Sequence, residues 1–316
     1  MQFTRREFGK LTLAGVPAAL ASSRAVLASA MIDSRVKGIQ IGAITYSFTS
    51  LPDADAIIQA YRTIGLGEME LMSNHCEALA GAPAPSRGGG RGAAQTPEQQ
   101  AAAAASAKSR ADWRMSATPA TFVPVKKKIK DAGIALGMLC YNMNVRNTSD
   151  DEIEYAFTMA KGLGVELITT STQVSMAKRL KPFVEKHKIR VGFHGHDSIE
   201  QPDEVHNEAS FLQVFSASDY FGANLDIGHY VVAKGDPVAF LNAHHARVFS
   251  LHLKDKRKDG VNQAWGQGDT PIVPVLKLLE KARWGFPANI EYVYVDPDGA
   301  VAGVTKCFNY IKAALA

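Results

Sequence analysis

The sequence contains little cysteine. Three cysteines, Cys76, Cys140 and Cys307, occur among 316 residues, and they lie far apart in the chain. This odd number and wide spacing fit neither the disulfide framework of a small secreted protein nor the thiolates of a structural zinc site. Because free cysteine is among the most buried residue types, we interpret all three as small buried hydrophobic side chains.

Long hydrophobic runs are also missing. The mean hydropathy is -0.08, and the modest apolar run Leu11–Ala21 is far shorter than the roughly 20 residues of a membrane-spanning helix. This excludes a polytopic membrane protein. A composition of 46% hydrophobic and 21% charged residues is that of an ordinary globular protein, which excludes wholly disordered, collagen-like and coiled-coil chains.

Most of the chain carries little net charge. The formal charge is +4, but residues 1–30 and residues 81–110 each contribute +3, so the remaining residues sum to about -2. A protein that binds nucleic acid needs a basic face for the phosphates. The distribution therefore argues against a nucleic-acid partner.

The N-terminal residues resemble an export signal. The stretch Thr4–Lys10 contains the pair Arg5-Arg6 followed by Phe8 and Lys10, which is similar to a twin-arginine motif, and Ala28-Ser29-Ala30 is a small-residue cleavage site. We expect residues 1–30 to be recognised by the twin-arginine export machinery and cleaved, leaving a periplasmic protein without stable membrane insertion. The alternative, an N-terminal membrane anchor, is disfavoured by the short apolar run.

Residues 81–110 interrupt the globular pattern. Ser86–Gly92 is rich in glycine and arginine, and residues 101–105 are all alanine. We expect a flexible loop in the first half of this low-complexity insertion and a solvated helix in the Gln/Ala half. An arginine-glycine tract can bind RNA, but this one is short and has no interleaved aromatic residues.

Elsewhere short β-rich runs alternate with amphipathic helical patterns. The predicted helices include Asp53–Ile64, Asp150–Leu163, Val174–His187 and Val273–Ala282. Eight strand-helix units in this length predict an α/β protein with a (β/α)8 TIM barrel as a single domain over residues 31–316, with the insertion after the second strand. A doubly wound sheet would need a glycine-rich phosphate turn, which Gly42–Thr45 is not. The predicted strands are Ile39–Tyr46, Glu68–Met72, Ile134–Tyr141, Val165–Thr170, Arg190–His194, Ala223–Asp226, Arg247–Leu253 and Ala288–Val293.

Residue types that bind metals collect at the carboxyl ends of these strands, which face the active site in such a barrel. Four successive strands end in His194, Asp226, His252 and Glu291. Two imidazoles and two carboxylates suit one divalent Mn, Zn, Co or Fe ion better than calcium. Such an ion would polarise a carbonyl and stabilise an enediolate as the adjacent carbon loses its proton.

These strand ends, with the phrases Leu-Asp-Ile-Gly-His, His-Leu-Lys-Asp and Gly-Gln-Gly-Asp, resemble the xylose-isomerase-like barrel superfamily over residues 38–314. That group contains sugar phosphate isomerases and epimerases. The resemblance implies metal-ligand roles for Asp226, His252 and Glu291. Its first glutamate, however, is replaced here by His194, which leaves one of the two carboxylates that exchange protons with the substrate in those epimerases.

Further residues are predicted to take part in catalysis or to contact the substrate. Glu291, His196, His229 and Lys254 are the predicted catalytic groups, although His229 could equally cap its loop. The residues predicted to contact substrate are Glu70, Tyr141, Asp255, Trp265 and Gln267. Trp265 could stack on a sugar face or simply pack against its own loop.

The leading hypothesis is a metal-dependent isomerase or epimerase that acts next to the carbonyl of a small-molecule carbohydrate. The alternatives are a lyase that removes the aglycone of a 3-keto-glycoside and a non-catalytic sugar-binding barrel. A nuclease of the endonuclease-IV kind would need more metal ligands and a basic face. A homo-oligomer is possible.

Overall fold

The computed structural model describes residues 30–85 and 96–316. The export signal predicted at residues 1–30 lies outside the described residues except for Ala30, so export and a periplasmic location stay predictions. Within the described ranges, no helix combines the length and the apolar composition that crossing a membrane requires.

Eight parallel strands form a closed barrel, which confirms the predicted (β/α)8 fold in a single domain. Each strand pairs with the next, and the first barrel strand pairs with the last through Ile41 and Ala288. A short strand, β1 (Arg35–Val36), pairs antiparallel with the first barrel strand. The barrel strands are β2 (Ile39–Ile44), β3 (Glu68–Met72), β4 (Ala135–Cys140), β5 (Leu167–Ser171), β6 (Arg190–His194), β7 (Phe221–Asp226), β8 (Val248–Leu253) and β9 (Ala288–Ile290).

Helices cover the outside of the barrel. The prediction of Asp150–Leu163 is confirmed residue for residue, because Ser149 and Glu152 form a capping box at its start and Gly164 ends it with a left-handed φ of 66°. The helices are α1 (Ala54–Ile64), α2 (Ser73–Leu79), α3 (Pro97–Ser116), α4 (Pro119–Asp131), α5 (Asp150–Leu163), α6 (Met176–His187), α7 (Glu208–Ala217), α8 (Ile227–Val232), α9 (Pro237–His244), α10 (Ile272–Ala282) and α11 (Ala300–Ala314).

The insertion is helical in its second half, as predicted, and the described part of it is anchored to the barrel. No residue of α3 is buried, yet Arg110 and Arg114 reach the buried carboxylate of Glu77 on α2, with Nε of Arg114 at 2.7 Å from Oε1. Tyr155 of α5 donates its hydroxyl to the same oxygen at 3.0 Å. This ion-pair cluster fixes α3 beside α2 and α5, whereas residues 86–95 of the predicted loop lie outside the described part of the chain.

Glu68 of β3 occupies the interior of the barrel without an ionic partner. Both its carboxyl oxygens, and Oδ1 of Asn289, are buried without a hydrogen-bond partner among the described residues. The two adjacent strands make room for it with glycines, because a Cβ at Gly42 or Gly137 would lie within 1.9 Å of a Glu68 oxygen. Burial, together with the carboxylate of Glu70, raises the pKa of Glu68 to about 8.

This buried carboxyl should make stability depend on pH. Between the ordinary pKa of 4.5 and the folded value of about 8, the folded chain holds a proton that the unfolded chain releases. The free energy of unfolding should therefore fall as the pH rises, by up to about 1.4 kcal/mol per pH unit. Glu68→Gln should remove this slope in urea unfolding measured from pH 5 to pH 8.

The difference between the two proteins isolates Glu68 from other titrating groups. Glu185→Gln, on the exposed face of α6, should keep the slope of the unchanged protein. Parallel stability curves for Glu68→Gln and the unchanged protein would show that Glu68 is not protonated in the folded state.

Candidate metal centre

Four consecutive strands bring His194, Asp226, His252 and Glu291 together at the mouth of the barrel. One ligand atom from each of these buried side chains lies within 4.8 Å of the other three. Donor atoms bound to one ion at about 2.1 Å lie roughly 3.4 Å apart in a tetrahedral site and roughly 4.2 Å apart on opposite sides of an ion. The four side chains therefore converge on one point and could hold one metal ion after closing by about 1 Å.

The orientation of His194 is fixed by two residues on the neighbouring strands. Its Nδ1 donates to Oδ1 of Asn224 at 2.7 Å, and Nδ2 of Asn224 in turn donates to the Ser250 hydroxyl at 2.6 Å. Burial and the nearby imidazoles of His252 and His196 hold the pKa of His194 well below its usual value. The ring is therefore neutral, and the lone pair of Nε2 is free to bind a metal.

His252 lies between two carboxylates. Its Nε2 donates to Glu70 at 2.7 Å and its Nδ1 donates to Glu291 at 2.8 Å. Burial alone would lower the pKa of His252, but these carboxylates raise it to about 10. Glu70 also accepts hydrogen bonds from Asn289 at 3.0 Å and from Thr169 at 2.5 Å. Glu70 thus supports His252 as an outer carboxylate. It also lines the cavity at the barrel mouth, so its predicted contact with substrate stays a prediction.

Lys254 supplies the positive charge that faces the carboxylates. Its Nζ lies 3.0 Å from Oδ2 of Asp226 and 3.0 Å from Oε1 of Glu291. Burial would lower the pKa of Lys254 and raise that of Glu291, but their attraction raises the first and holds the second well below its usual value. Both groups are therefore charged.

One oxygen of the cluster still lacks a directed partner. Oδ2 of Asp226 is buried and accepts no well-aligned hydrogen bond within the described ranges, despite the nearby ammonium of Lys254. Oδ1 caps α8 by accepting from the backbone N–H of His229 at 2.8 Å. A buried carboxylate oxygen with spare lone pairs, beside two imidazoles and a second carboxylate, fits a divalent ion of the zinc or manganese type.

His229 links the cluster to a carboxylate at the rim. Its Nε2 accepts a hydrogen bond from Lys254 at 3.0 Å, and its Nδ1 lies 3.2 Å from Oδ2 of Asp197. Asp197 also pairs with the buried Lys256. The hydrogen bond from His229 and the charge of Lys256 hold the pKa of Asp197 well below its usual value. Asp197 is therefore an anion, and its carboxylate orients the ring of His229.

His196 forms a second histidine–carboxylate pair. Its Nδ1 lies 3.0 Å from Oε1 of Glu204, so Nε2 is the ring nitrogen farther from that carboxylate. The rings of His196 and His229 are 5.3 Å apart, and His196 is 4.9 Å from the ring of His194. Two imidazoles capable of proton transfer therefore stand beside the metal ligands.

These groups surround a cavity of about 550 Å³ at the barrel mouth. The cavity is lined by three of the four candidate ligands, His194, His252 and Glu291, together with the predicted catalytic residues His196, His229 and Lys254. Asn142, Thr170, Ser171 and Asn262 add neutral hydrogen-bonding groups to the wall. A volume of this size lies within the range of roughly 300–1,000 Å³ that is typical of small-molecule sites.

Tyr141 lies outside this cavity, although the sequence predicted that it contacts substrate. The predicted strand ended at Tyr141, but β4 ends at Cys140, and Cys140 and Asn142 face the cavity. Successive side chains of an extended chain point to opposite sides. Tyr141 therefore points outward, where its ring lies 6.1 Å from that of Tyr155.

The loop after β8 explains three further departures from the sequence-based prediction. Asp255 is buried and accepts hydrogen bonds from the backbone N–H groups of Gly266 at 2.7 Å and Gly268 at 3.0 Å. It therefore holds this loop in place and does not line the cavity. Trp265 and Gln267 line a separate depression beside α11, where the Trp265 ring packs 6.0 Å from Tyr310.

Sequence reasoning missed the residues that support the ligands. Asn224 and Ser250 lie two residues before Asp226 and His252 on β7 and β8, and Asn289 of β9 lies two residues before Glu291, which follows that strand. The period-2 alternation of strands places such residues on the same face as the ligand, and this was the available signal. Asp197 and Glu204 gave none, because their loop brings them to the histidines only in the folded chain.

Comparisons with known proteins agree with the fold. No protein-family model matches the chain. A segment of 85 residues is 31% identical to the inosose dehydratase of Lactiplantibacillus plantarum, which covers 27% of this chain and 28% of that protein. The chain thus spans under a third of that relative.

Among solved structures, a zinc-bound IOLI protein is similar with a TM-score of 0.61 and 11% identity, covering 88% of this chain and 98% of that chain. An L-ribulose 3-epimerase has a TM-score of 0.61 and 11% identity, covering 88% and 94%. The similar structures are xylose isomerase-like barrels that include sugar phosphate isomerases/epimerases and a probable dehydratase. At these identities the likeness establishes the fold alone.

The cluster predicts the effect of removing one ligand. The chelator-treated protein should take up one Mn²⁺ or Zn²⁺ ion per chain in isothermal titration calorimetry. Asp226→Asn should weaken this binding by roughly 100-fold or more, because it removes an anionic ligand while keeping the oxygen that caps α8.

Asp219→Asn changes a fully exposed aspartate and should bind the ion as the unchanged protein does. Equal affinities for Asp226→Asn and the unchanged protein would rule out this metal centre.

Proposed function

We propose that this protein is a metal-dependent enzyme that removes the proton next to the carbonyl of a sugar or sugar derivative and acts as an isomerase or epimerase through an enediolate. The observation that carries the proposal is the convergence of His194, Asp226, His252 and Glu291 on one point of a polar cavity at the barrel mouth. The similar barrels that are isomerases, epimerases and dehydratases support this class of chemistry.

The four converging side chains would hold the ion. A bound divalent metal, whether Mn, Zn, Co or Fe, would supply Lewis-acid chemistry by polarising a carbonyl oxygen and its neighbouring hydroxyl. Glu291 stays ionised beside Lys254, so its carboxylate can accept the proton from the adjacent carbon. Lys254 directs its three N–H groups to Asp226, Glu291 and Nε2 of His229, so it holds these three groups in place and balances the charge of the two carboxylates.

His196 and His229 are suited to the second proton transfer. Each has Nδ1 turned toward a carboxylate, Glu204 or Asp197 respectively. The carboxylate stabilises the protonated ring when it forms. Nε2 of His229 accepts a hydrogen bond from Lys254, and Nε2 of His196 is the nitrogen farther from Glu204. An imidazole can thus return a proton to a different carbon or to the other face of the same carbon.

The lining of the cavity favours a carbohydrate without phosphate. Among the described lining residues Lys254 is the one lysine or arginine, and it is already paired with Asp226 and Glu291. A phosphate group would therefore find no free cationic partner. Amides and hydroxyls such as those of Asn142, Thr170 and Asn262 are instead suited to sugar hydroxyls.

Elimination from an oxidised glycoside is the second candidate reaction. It is favoured by His194 in the place where the epimerases resembled by the sequence have a glutamate, and by Glu70 being held in three hydrogen bonds. Glu291 would then be the base and an imidazole the acid that protonates the leaving group. The partial similarity to an inosose dehydratase supports it, because dehydration is also an elimination.

Hydrogen-deuterium exchange in heavy water distinguishes these reactions. With metal bound, the enzyme should introduce deuterium next to the carbonyl of at least one member of a panel of ketoses and 3-keto-glycosides. NMR spectroscopy measures this incorporation. Glu291→Gln should reduce exchange by about 10³-fold at matched metal occupancy, because the base is lost. Glu185→Gln is the surface control.

Exchange without loss of the aglycone identifies an isomerase or epimerase, and release of the aglycone identifies a lyase. Neither reaction on any member of the panel, with the metal bound, would contradict the proposed proton abstraction.

A further inference from the structure

A second cavity opens beside the proposed active site. It has a volume of about 270 Å³ and adjoins the larger cavity of about 550 Å³, since Tyr46 and Val293 line both. Tyr46 belongs to the turn that follows β2, and Val293 follows β9. The two cavities therefore meet at the seam where the first and last strands of the barrel pair.

The wall of the second cavity exposes aromatic and aliphatic side chains. We call Tyr46, Tyr292, Val293, Tyr294 and Val295 the tyrosine groove. Tyr46 is 44% exposed, Tyr294 40% and Val295 87%, whereas Tyr292 is buried. The rings of Tyr292 and Tyr294 are 6.1 Å apart and nearly perpendicular. Exposed apolar side chains that line a concave site are characteristic of a surface for ligand binding.

The tyrosine groove presents no unpaired charge within the described residues. Asp296 is the one charged side chain that lines the second cavity, and both its oxygens accept from Lys306, at 3.0 and 2.9 Å. The remaining lining consists of tyrosines, valines, serines, threonine and small residues. The groove is therefore suited to a neutral ring that packs against aromatic faces.

The position of the groove relates it to the reacting atoms. Glu291, the proposed base, and Val293 lie two residues apart and line the same wall of the larger cavity. A sugar with its reacting carbon at Glu291 occupies the polar part of that cavity. Because Tyr46 and Val293 line both cavities, a further substituent of this sugar that extends past them reaches the groove.

We propose that the substrate is a glycoside whose sugar carries a keto group, and that the tyrosine groove binds the neutral ring of its aglycone. This inference rests on the proposed function and adds the substrate class to it. A free monosaccharide in the polar cavity would leave Tyr294 and Val295, which line the second cavity alone, without contact. A sugar ring and an aromatic ring share the apolar face that tyrosine recognises, so the experiment includes both.

The test measures binding and exchange separately on the metal-loaded protein. Calorimetry compares methyl glucoside, phenyl glucoside and the disaccharide cellobiose as unreactive probes. We expect phenyl glucoside, cellobiose or both to bind about 10-fold more tightly than methyl glucoside. Tyr46→Ala and Tyr294→Ala should abolish the difference, whereas Tyr46→Phe, Tyr294→Phe and the distant surface variant Leu212→Ala should keep it.

A preference for phenyl glucoside alone identifies an aromatic aglycone, and a preference for cellobiose alone identifies a sugar. Equal binding of all three probes, no binding of any, or a preference that survives both alanine variants overturns the inference. Deuterium exchange on 3-keto-glucose tests the proposed function independently. Exchange on this free sugar without any ring preference would refute the groove and leave the function in place.

Discussion

Burying the carboxylates of Asp226 and Glu291 next to each other costs free energy, because each loses hydration and repels the other. The barrel compensates with cations from the strand between them. The ammonium of Lys254, which follows β8, lies 3.0 Å from both carboxylates, and His252 on β8 donates to Glu291 at 2.8 Å. A closed ring of eight strands keeps these groups in place, so that a divalent ion can share the task of neutralising them. The candidate chemistry depends on this balance of charge.

A second polar layer below the ligands makes their geometry specific. Asn224 and Ser250 orient His194, whereas Asn289 and Glu70 orient His252. Asn224, Ser250 and Asn289 each stand two residues before a candidate ligand, whereas Glu70 comes from β3. Strand pairing therefore positions the candidate ligands and their supports together. His252 donates to carboxylates from both ring nitrogens, so it must release one of these protons before it can bind an ion.

The sequence predicted the parts of this arrangement that follow from local pattern. The strand Glu68–Met72 was predicted to the residue, and the convergence of the four candidate ligands was predicted because parallel strands end at one edge of a barrel. Tyr141 was misplaced because side chains alternate along this segment, which turns Cys140 and Asn142 toward the cavity and Tyr141 away from it. The pairing of Glu77 with Arg110 and Arg114 joins segments more than 30 residues apart, and no local pattern encodes such a contact.

Anomalous X-ray scattering from crystals grown with Mn²⁺ would show whether these four side chains form one metal centre. We expect one strong anomalous peak per chain, with atoms of His194, Asp226, His252 and Glu291 at about 2.0–2.3 Å from it. An absence of density there at saturating Mn²⁺, with Lys254 still bridging Asp226 and Glu291, would contradict this expectation.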